Sequence, residues 1–362
     1  MAEYGRTGRI GSLANYRSVC HDHSWRAHLQ PRVDAGLLML PLGAGLVAAS
    51  MANANPLVFP LLLLADLWLL GYHHVVATYT RLAFDLQTFK AHRFLALDLL
   101  VIVTLATLAL AFTAGAWVVA SAFLYLQWFH YMRQGYGVSR MFYRATSAGQ
   151  SQSPGQSARD WVSDLVIYLV PIYGIAQRSA TMGDRFLNLP VKTLVLPEPV
   201  VLALGSAAAV AVGVWVLRGM RDIVRGQFDV AYTMFVASHV VIFLLAYVVI
   251  DDVNVGWLAI NIWHNFQYVM VVWMVNAKRY ARGIDPAARL LSTISQPGRV
   301  AMYFATCLAI STVIYIGLDR LIALALGGGL AATIGVYMGI NFHHYIVDAL
   351  IWKRRRPAPQ PA

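Results

Sequence analysis

Ten apolar runs, each near the length that crosses a bilayer, follow one another along this chain: 35–53, 57–81, 93–113, 115–140, 161–177, 196–217, 230–250, 254–276, 300–325 and 329–352. A spanning helix needs about 20 mostly apolar residues. In hydrocarbon a backbone must satisfy its own N–H and C=O groups, which a helix does. The runs therefore predict an all-α polytopic membrane helix bundle of about ten transmembrane helices. Composition agrees: 59% of the residues are hydrophobic and only 12% charged, where a soluble domain carries roughly 25% charged residues.

The formal net charge of +11 does not point to nucleic acid. Lys and Arg fall in short clusters between apolar runs: Arg6 to Arg32, Arg81 with Lys90 and Arg93, Arg133 to Arg159, Arg218 to Arg225, Lys278 to Arg299, and Lys353 to Arg356. The alternate connections, Asn53-Ala54-Asn55, Thr113-Ala114-Gly115, Asp251-Asp252 and Gly327-Gly328-Gly329, carry no positive charge. By the positive-inside rule both termini are expected in the cytoplasm. Residues 1–34 then form a polar, basic leader, 35–352 the bundle, and 353–362 a basic, Pro-rich tail. The leader is too long and polar for a secretory signal, so the first apolar run is expected to target the chain, to the cytoplasmic membrane of a bacterium. One stretch resists this scheme. Arg178 to Lys192 would lie outside with positive charge, so the run at 161–177 is open to being re-entrant. Residues 145–160, polar and small, read as a cytoplasmic loop. Cys20 and Cys307 make no disulfide framework.

An ionisable side chain in hydrocarbon is costly and is read as functional by default. Seven histidines lie in or at the ends of apolar runs: His73, His74, His130, His239, His264, His343 and His344. The runs bearing His73 and His74, His130, His264, and His343 and His344 all run outside to inside. At 1.5 Å per residue, these six share the cytoplasmic half of the bilayer. Their shared depth favours one site. His239, on a run of opposite direction with no polar neighbours on its face, reads as a packing histidine.

Polar residues accompany them at helical spacing. Gln127, His130 and Gln134 form one stripe. Asn261, His264 and Tyr268, with Gln267 alongside, form a second, and Asn341, His344 and Asp348 a third. Asp66 lies seven residues before His73, on the same face. Asp348, Gln134 and Tyr268 are the candidate catalytic groups. Asp66, Gln127, Asn261, Gln267 and Asn341 are candidates to hold the imidazoles in place, as outer partners of metal ligands do. Many imidazoles with a carboxylate suit iron, copper or zinc, and six exceed what one tetrahedral ion needs. The expectation is two transition-metal ions, iron first, on His73, His74, His130, His264, His343 and His344.

A helix-ending HH, the QxxH of Gln127 to His130, the spacing of His264 to Gln267, and an HH followed by Asp348 together resemble the histidine-rich integral-membrane di-iron desaturases and hydroxylases. Bacterial carotene-cleaving oxygenases, with many spans and scattered intramembrane histidines, are similar in the same way. The HxxxH and HxxHH boxes of the desaturases are absent, and the spans number about ten instead of about four. Iron held by neutral imidazoles with open positions suits oxygen activation, so the expectation is an O2-using oxidoreductase acting on a lipophilic substrate that enters from the membrane lipid, among the apolar residues Trp128, Phe129, Trp263, Phe266 and Phe342. An acidic electron-carrier protein would dock on the basic cytoplasmic face. Two alternatives stay open. Two histidines on facing helices bind haem in electron-transfer proteins, and metal-ion or proton transporters also use intramembrane His and Asp.

Overall fold

A computed structural model describes residues 31–145 and 160–351. The leader with Cys20, the polar loop through residue 159 and the basic tail lie outside the described residues. Among the described residues the apolar runs are helices: α1 Pro31–Ala54, α2 Pro56–Leu82, α4 Phe94–Thr113, α5 Ala116–Ala145, α6 Trp161–Thr181, α7 Glu198–Val224, α8 Val230–Val249, α9 Val253–Arg279, α11 Val300–Leu326 and α12 Leu330–Ile351. Two short helices, α3 Leu86–Ala91 and α10 Arg289–Ile294, and a hairpin of β1 Arg185–Phe186 with β2 Leu189–Pro190 complete the order.

Aspartates start several helices by taking the free N–H groups of the first turn. Asp85 accepts from Gln87 N, Asp160 from Ser163 N, Asp229 from Tyr232 N, and Asp252 from Asn254 N. Gly327, at φ 71, closes α11 in the left-handed conformation that a side chain disfavours. Five helices, α2, α4, α7, α8 and α11, are long and apolar enough to cross a membrane by length and composition. Of the rest, α5, α9 and α12 carry the polar stripes.

The centre of the bundle is α9, whose buried residues run from Val255 to Asn276. Helices α1, α2 and α8 pack on it. The hairpin closes one end: Leu187 N donates to Asn254 Oδ1 at 2.8 Å, and Phe186 stands edge-on to Trp257 at 5.5 Å. Arg178 belongs to this end and is buried. Its guanidinium donates to the carbonyls of Tyr247, Ile250 and Asp251, the last turn of α8 and the residues after it. A cation there meets the negative end of the helix dipole. Of the three cations in the stretch that resisted the sequence scheme, Arg178, Arg185 and Lys192, the first thus has a local employment as a helix cap.

Three helices contain a π turn, at Leu67–Gly71 in α2, Phe94–Asp98 in α4 and Leu245–Val249 in α8. A π turn inserts one residue and misaligns backbone pairing. Side chains fill the gap in two of them: His343 Nε2 sits 2.7 Å from Leu95 O, and Arg178 Nε donates to Tyr247 O at 3.1 Å. The turn in α2 also shifts the register. Asp66 and His73 share a face only on an unbroken helix; with one residue inserted, His74 takes that face instead.

Helix α12 lies antiparallel against α4. The spacing Gly335-x-x-x-Gly339 permits the approach: a methyl group on Gly335 would stand 2.9 Å from Leu108 Cα, and one on Gly339 2.7 Å from Thr104 Cα. Backbones that close have no side chain to displace, as in small-residue membrane packing. Gly339→Val should therefore destabilise the bundle by about 1–3 kcal/mol, read as a lowered Tm in detergent. Gly317→Ala, where nothing lies within 4 Å, should leave Tm unchanged or raise it.

Candidate metal centre

His74, His130, His344 and Asp348 present one ligand atom each within 4.8 Å of one another, and all four are buried. They come from α2, α5 and α12. The group could hold a metal ion. His74 and His344 meet at their Nε2 atoms, 2.6 Å apart. Two nitrogens bound to one ion at about 2.0–2.1 Å each lie roughly 3 Å apart, so a few tenths of an ångström separate this pair from a ligand edge. The rings of His130 and His344 stand 4.9 Å apart at 71°, and Tyr345 stacks on His130 at 4.4 Å.

A hydroxyl relay sets the His344 ring. Tyr268 OH donates to Asp348 Oδ1 at 2.5 Å, which leaves its oxygen to accept from Thr78 Oγ1 at 2.8 Å. Thr78 Oγ1 in turn lies 3.0 Å from His344 Nδ1. With the Thr78 proton drawn to Tyr268 or to Asp348 Oδ1, 3.4 Å away, His344 carries its own on Nδ1 and keeps Nε2 as a lone pair facing the group. Fixing the tautomer through the outer nitrogen is how metal-binding histidines are oriented.

Of the five buried histidine nitrogens without a partner among the described residues, three lie at or beside this point. His74 Nδ1, His130 Nε2 and His264 Nδ1 are buried with no hydrogen bond. Leaving a buried polar atom unpaired costs about 1–3 kcal/mol, and a cation accepted by imidazole lone pairs removes that cost at His130. The donor set of three imidazoles and a carboxylate fits a transition metal.

His264 adjoins the group without entering it. Its ring lies 4.8 Å from that of His74 and 4.9 Å from that of His130, with Tyr131 against it at 4.2 Å. His73 and His343 are not brought in. His73 turns toward α11, edge-on to Phe304 at 5.1 Å. Both His343 nitrogens are engaged, Nε2 at Leu95 O and Nδ1 at Tyr79 OH, 3.1 Å away. His239, as a packing histidine would, lies apart with Nε2 3.1 Å from Ile167 O and its ring against Gly135.

The supporting residues divide in the same way. Gln134 Nε2 donates to His264 O at 3.2 Å, its Oε1 unpaired, and both polar atoms of buried Gln267 are unpaired. Asn341 bonds within its own helix, to Tyr337 O at 2.8 Å, and does not hold His344. Gln127, Asn261 and Asp66 form a separate buried network with Tyr131 and Trp257. Of the apolar residues expected to line a substrate path, Trp128 and Trp263 are fully buried in the core, whereas Phe129 faces outward at 53% exposure. Sequence reasoning missed Thr78 and Tyr131. Each had a spacing signal, Thr78 four residues after His74 and Tyr131 four after Gln127, on helices already marked as polar-faced.

The chain matches no family model, no curated protein and no solved structure.

His74→Ala and His344→Ala should each abolish stoichiometric metal binding, measured by elemental analysis of detergent-purified protein. His343→Ala should keep the metal while lowering Tm. Thr78→Val should keep a bound ion but weaken it about 10–100-fold, the usual cost of an outer hydrogen bond. Equal metal content in His344→Ala and wild type would refute the assignment.

Proposed function

We propose that this protein is an integral-membrane, metal-dependent oxidoreductase that uses O2 to oxidise a lipid-soluble molecule. The convergence of three buried imidazoles and one carboxylate inside an apolar bundle carries this reading. Iron is the ion of choice, because neutral imidazoles with a single carboxylate leave coordination positions open and suit oxygen activation. The ion's contribution is activation of O2 at those positions. His264, beside the group with Nδ1 unpaired, is the donor available to a second ion.

The chain's own residues supply the rest. His74, His130, His344 and Asp348 hold the ion. Tyr268 keeps a proton at Asp348 Oδ1, and Thr78 keeps His344 in the ligating tautomer. The unpaired Oε1 of Gln134 and the unpaired amide of Gln267 are free to meet a polar group of the substrate. Burial on all sides excludes water, which would otherwise quench a reactive centre. The exposed apolar faces of α4, α7 and α11 place the bundle in lipid, where such a substrate is dissolved.

The topology proposed with this function has all ten long helices crossing the cytoplasmic membrane of a bacterium and both termini in the cytoplasm. The capping role of Arg178 supports it, since a buried cap is not a loop charge. Electrons would then arrive from an acidic carrier protein at the basic segments Arg133 to Arg159 and Lys278 to Arg299. A haem fits less well. It needs two imidazoles across a flat cleft, and here the rings meet edge to face at one packed point.

Lipid extracts from cells with and without the expressed gene test the reading. A membrane lipid or isoprenoid gaining oxygen or losing two hydrogens is the expected result, and Asp348→Asn or treatment of membranes with a strong iron chelator should abolish it. Unchanged lipids alongside altered metal uptake would favour a transporter.

A further inference from the structure

A second buried polar network lies one to two turns nearer the hairpin end of the bundle, and its polarity can be read from one residue. Trp257 Nε1 donates to Gln127 Oε1 at 2.8 Å. An indole N–H can only donate, so the oxygen of Gln127 must face it and the amide nitrogen must face away. That nitrogen donates to Asn261 Oδ1 at 3.2 Å and to Tyr131 OH at 2.5 Å, and the Tyr131 hydroxyl also donates to Asn261 Oδ1. Asn261 must then turn its own amide nitrogen outward, and it donates to Asp66 Oδ2 at 2.5 Å. Every donor in the chain points toward Asp66.

Asp66 is 3% exposed, and its Oδ1 has no partner. It forms no ion pair among the described residues. An ionisable neighbour, Tyr131 on α5, reaches it through Asn261 and carries no positive charge. A chain of aligned donors stabilises an anion, yet a carboxylate without a nearby cation is costly in such surroundings. The missing positive charge is supplied if the metal group is filled. A divalent ion with Asp348 leaves one positive charge over, and the π turn at Leu67–Gly71 sets Asp66 and His74 on the same face of α2.

We propose that Asp66 is the distant counter-charge of the metal centre: an ionised carboxylate that touches no ligand and strengthens cation binding through space. It acts on the ion through its field, not by positioning a ligand. This rests on the metal reading of His74, His130, His344 and Asp348. The separation along α2 is about 12 Å, eight residues at 1.5 Å each. At an effective dielectric of about 20 the attraction of one charge for a remaining unit charge is about 1.4 kcal/mol, equivalent to tenfold in affinity.

The test is titration of detergent-purified full-length protein with Co2+, whose visible absorption reports both occupancy and ligand geometry. Asp66→Asn, which keeps the shape and removes the charge, should weaken Co2+ about tenfold and leave the absorption spectrum of the bound ion unchanged. Asp66→Glu should retain wild-type affinity. An unshifted midpoint in Asp66→Asn overturns the proposal, as Asp66 would then be neutral. A changed spectrum overturns it too, because Asp66 would be shaping the ligands. If Asp66→Asn does not fold, Asp66→Glu decides: a tenfold loss there means shape matters and charge does not. Wild-type protein that binds no Co2+ would bring down the metal centre itself, a result distinct from an unmoved Asp66→Asn.

Discussion

A polar group inside an apolar bundle must find its partner on another helix, and this requirement organises the interior. Tyr268 on α9 reaches Asp348 on α12; Thr78 on α2 lies between them. Asn261 on α9 reaches Asp66 on α2 and receives from Tyr131 on α5. Apolar side chains can slide against one another at little cost, whereas these bonds exist at one rotation of each helix only. They set four helices in register, and the group of His74, His130, His344 and Asp348 is where α2, α5 and α12 meet, with Tyr268 of α9 bonded to it.

The packing elsewhere serves the same end. Helix α12 brings His344 and Asp348 to the group, and it is held from behind by close contact of Gly335 and Gly339 with α4. His343 pins the same helix to the carbonyl of Leu95 at the π turn of α4. Of the adjacent pair, one ring therefore fastens the helix and the other faces the centre. The pair His73 and His74 divides likewise, with His73 against Phe304 on α11 and His74 against the imidazoles.

Much of this was legible in the sequence. The apolar runs mark the helices to within seven residues at either end, the largest gap being at Val224 of α7, because burial in lipid or core demands long uninterrupted apolarity. The stripes Gln127–His130–Gln134, Asn261–His264–Tyr268 and Asn341–His344–Asp348 lie on the helices that meet. What could not be read is which member of an adjacent pair turns inward. That choice depends on the π turns, and a π turn arises from contacts between helices that no local pattern in 67–71 or 94–98 announces. For the same reason Asn341 was misjudged as a support for His344. Its amide has the right spacing, but the backbone carbonyl of Tyr337 is nearer than any imidazole, and Thr78 on α2 does the work. The positive charge at Arg178 misled in a comparable way, since a count of charges cannot distinguish a loop cation from one folded into a helix end.

The π turn at Leu67–Gly71 carries an implication for how this chain can change over time. Winding these same residues as an ordinary α-helix would yield a straighter, more regular element with a complete ladder of backbone bonds. It would also rotate every side chain beyond it by about 100°, carrying His74 off its imidazole neighbours and swinging His73 toward their place. Asp66 and the residues before it would stay put. Local regularity and the assembled centre are thus mutually exclusive in a helix of this length. The imperfect turn absorbs one surplus residue, and deleting that residue would leave His74 seven positions after Asp66 on the same face, so a helix one residue shorter would keep the centre in register.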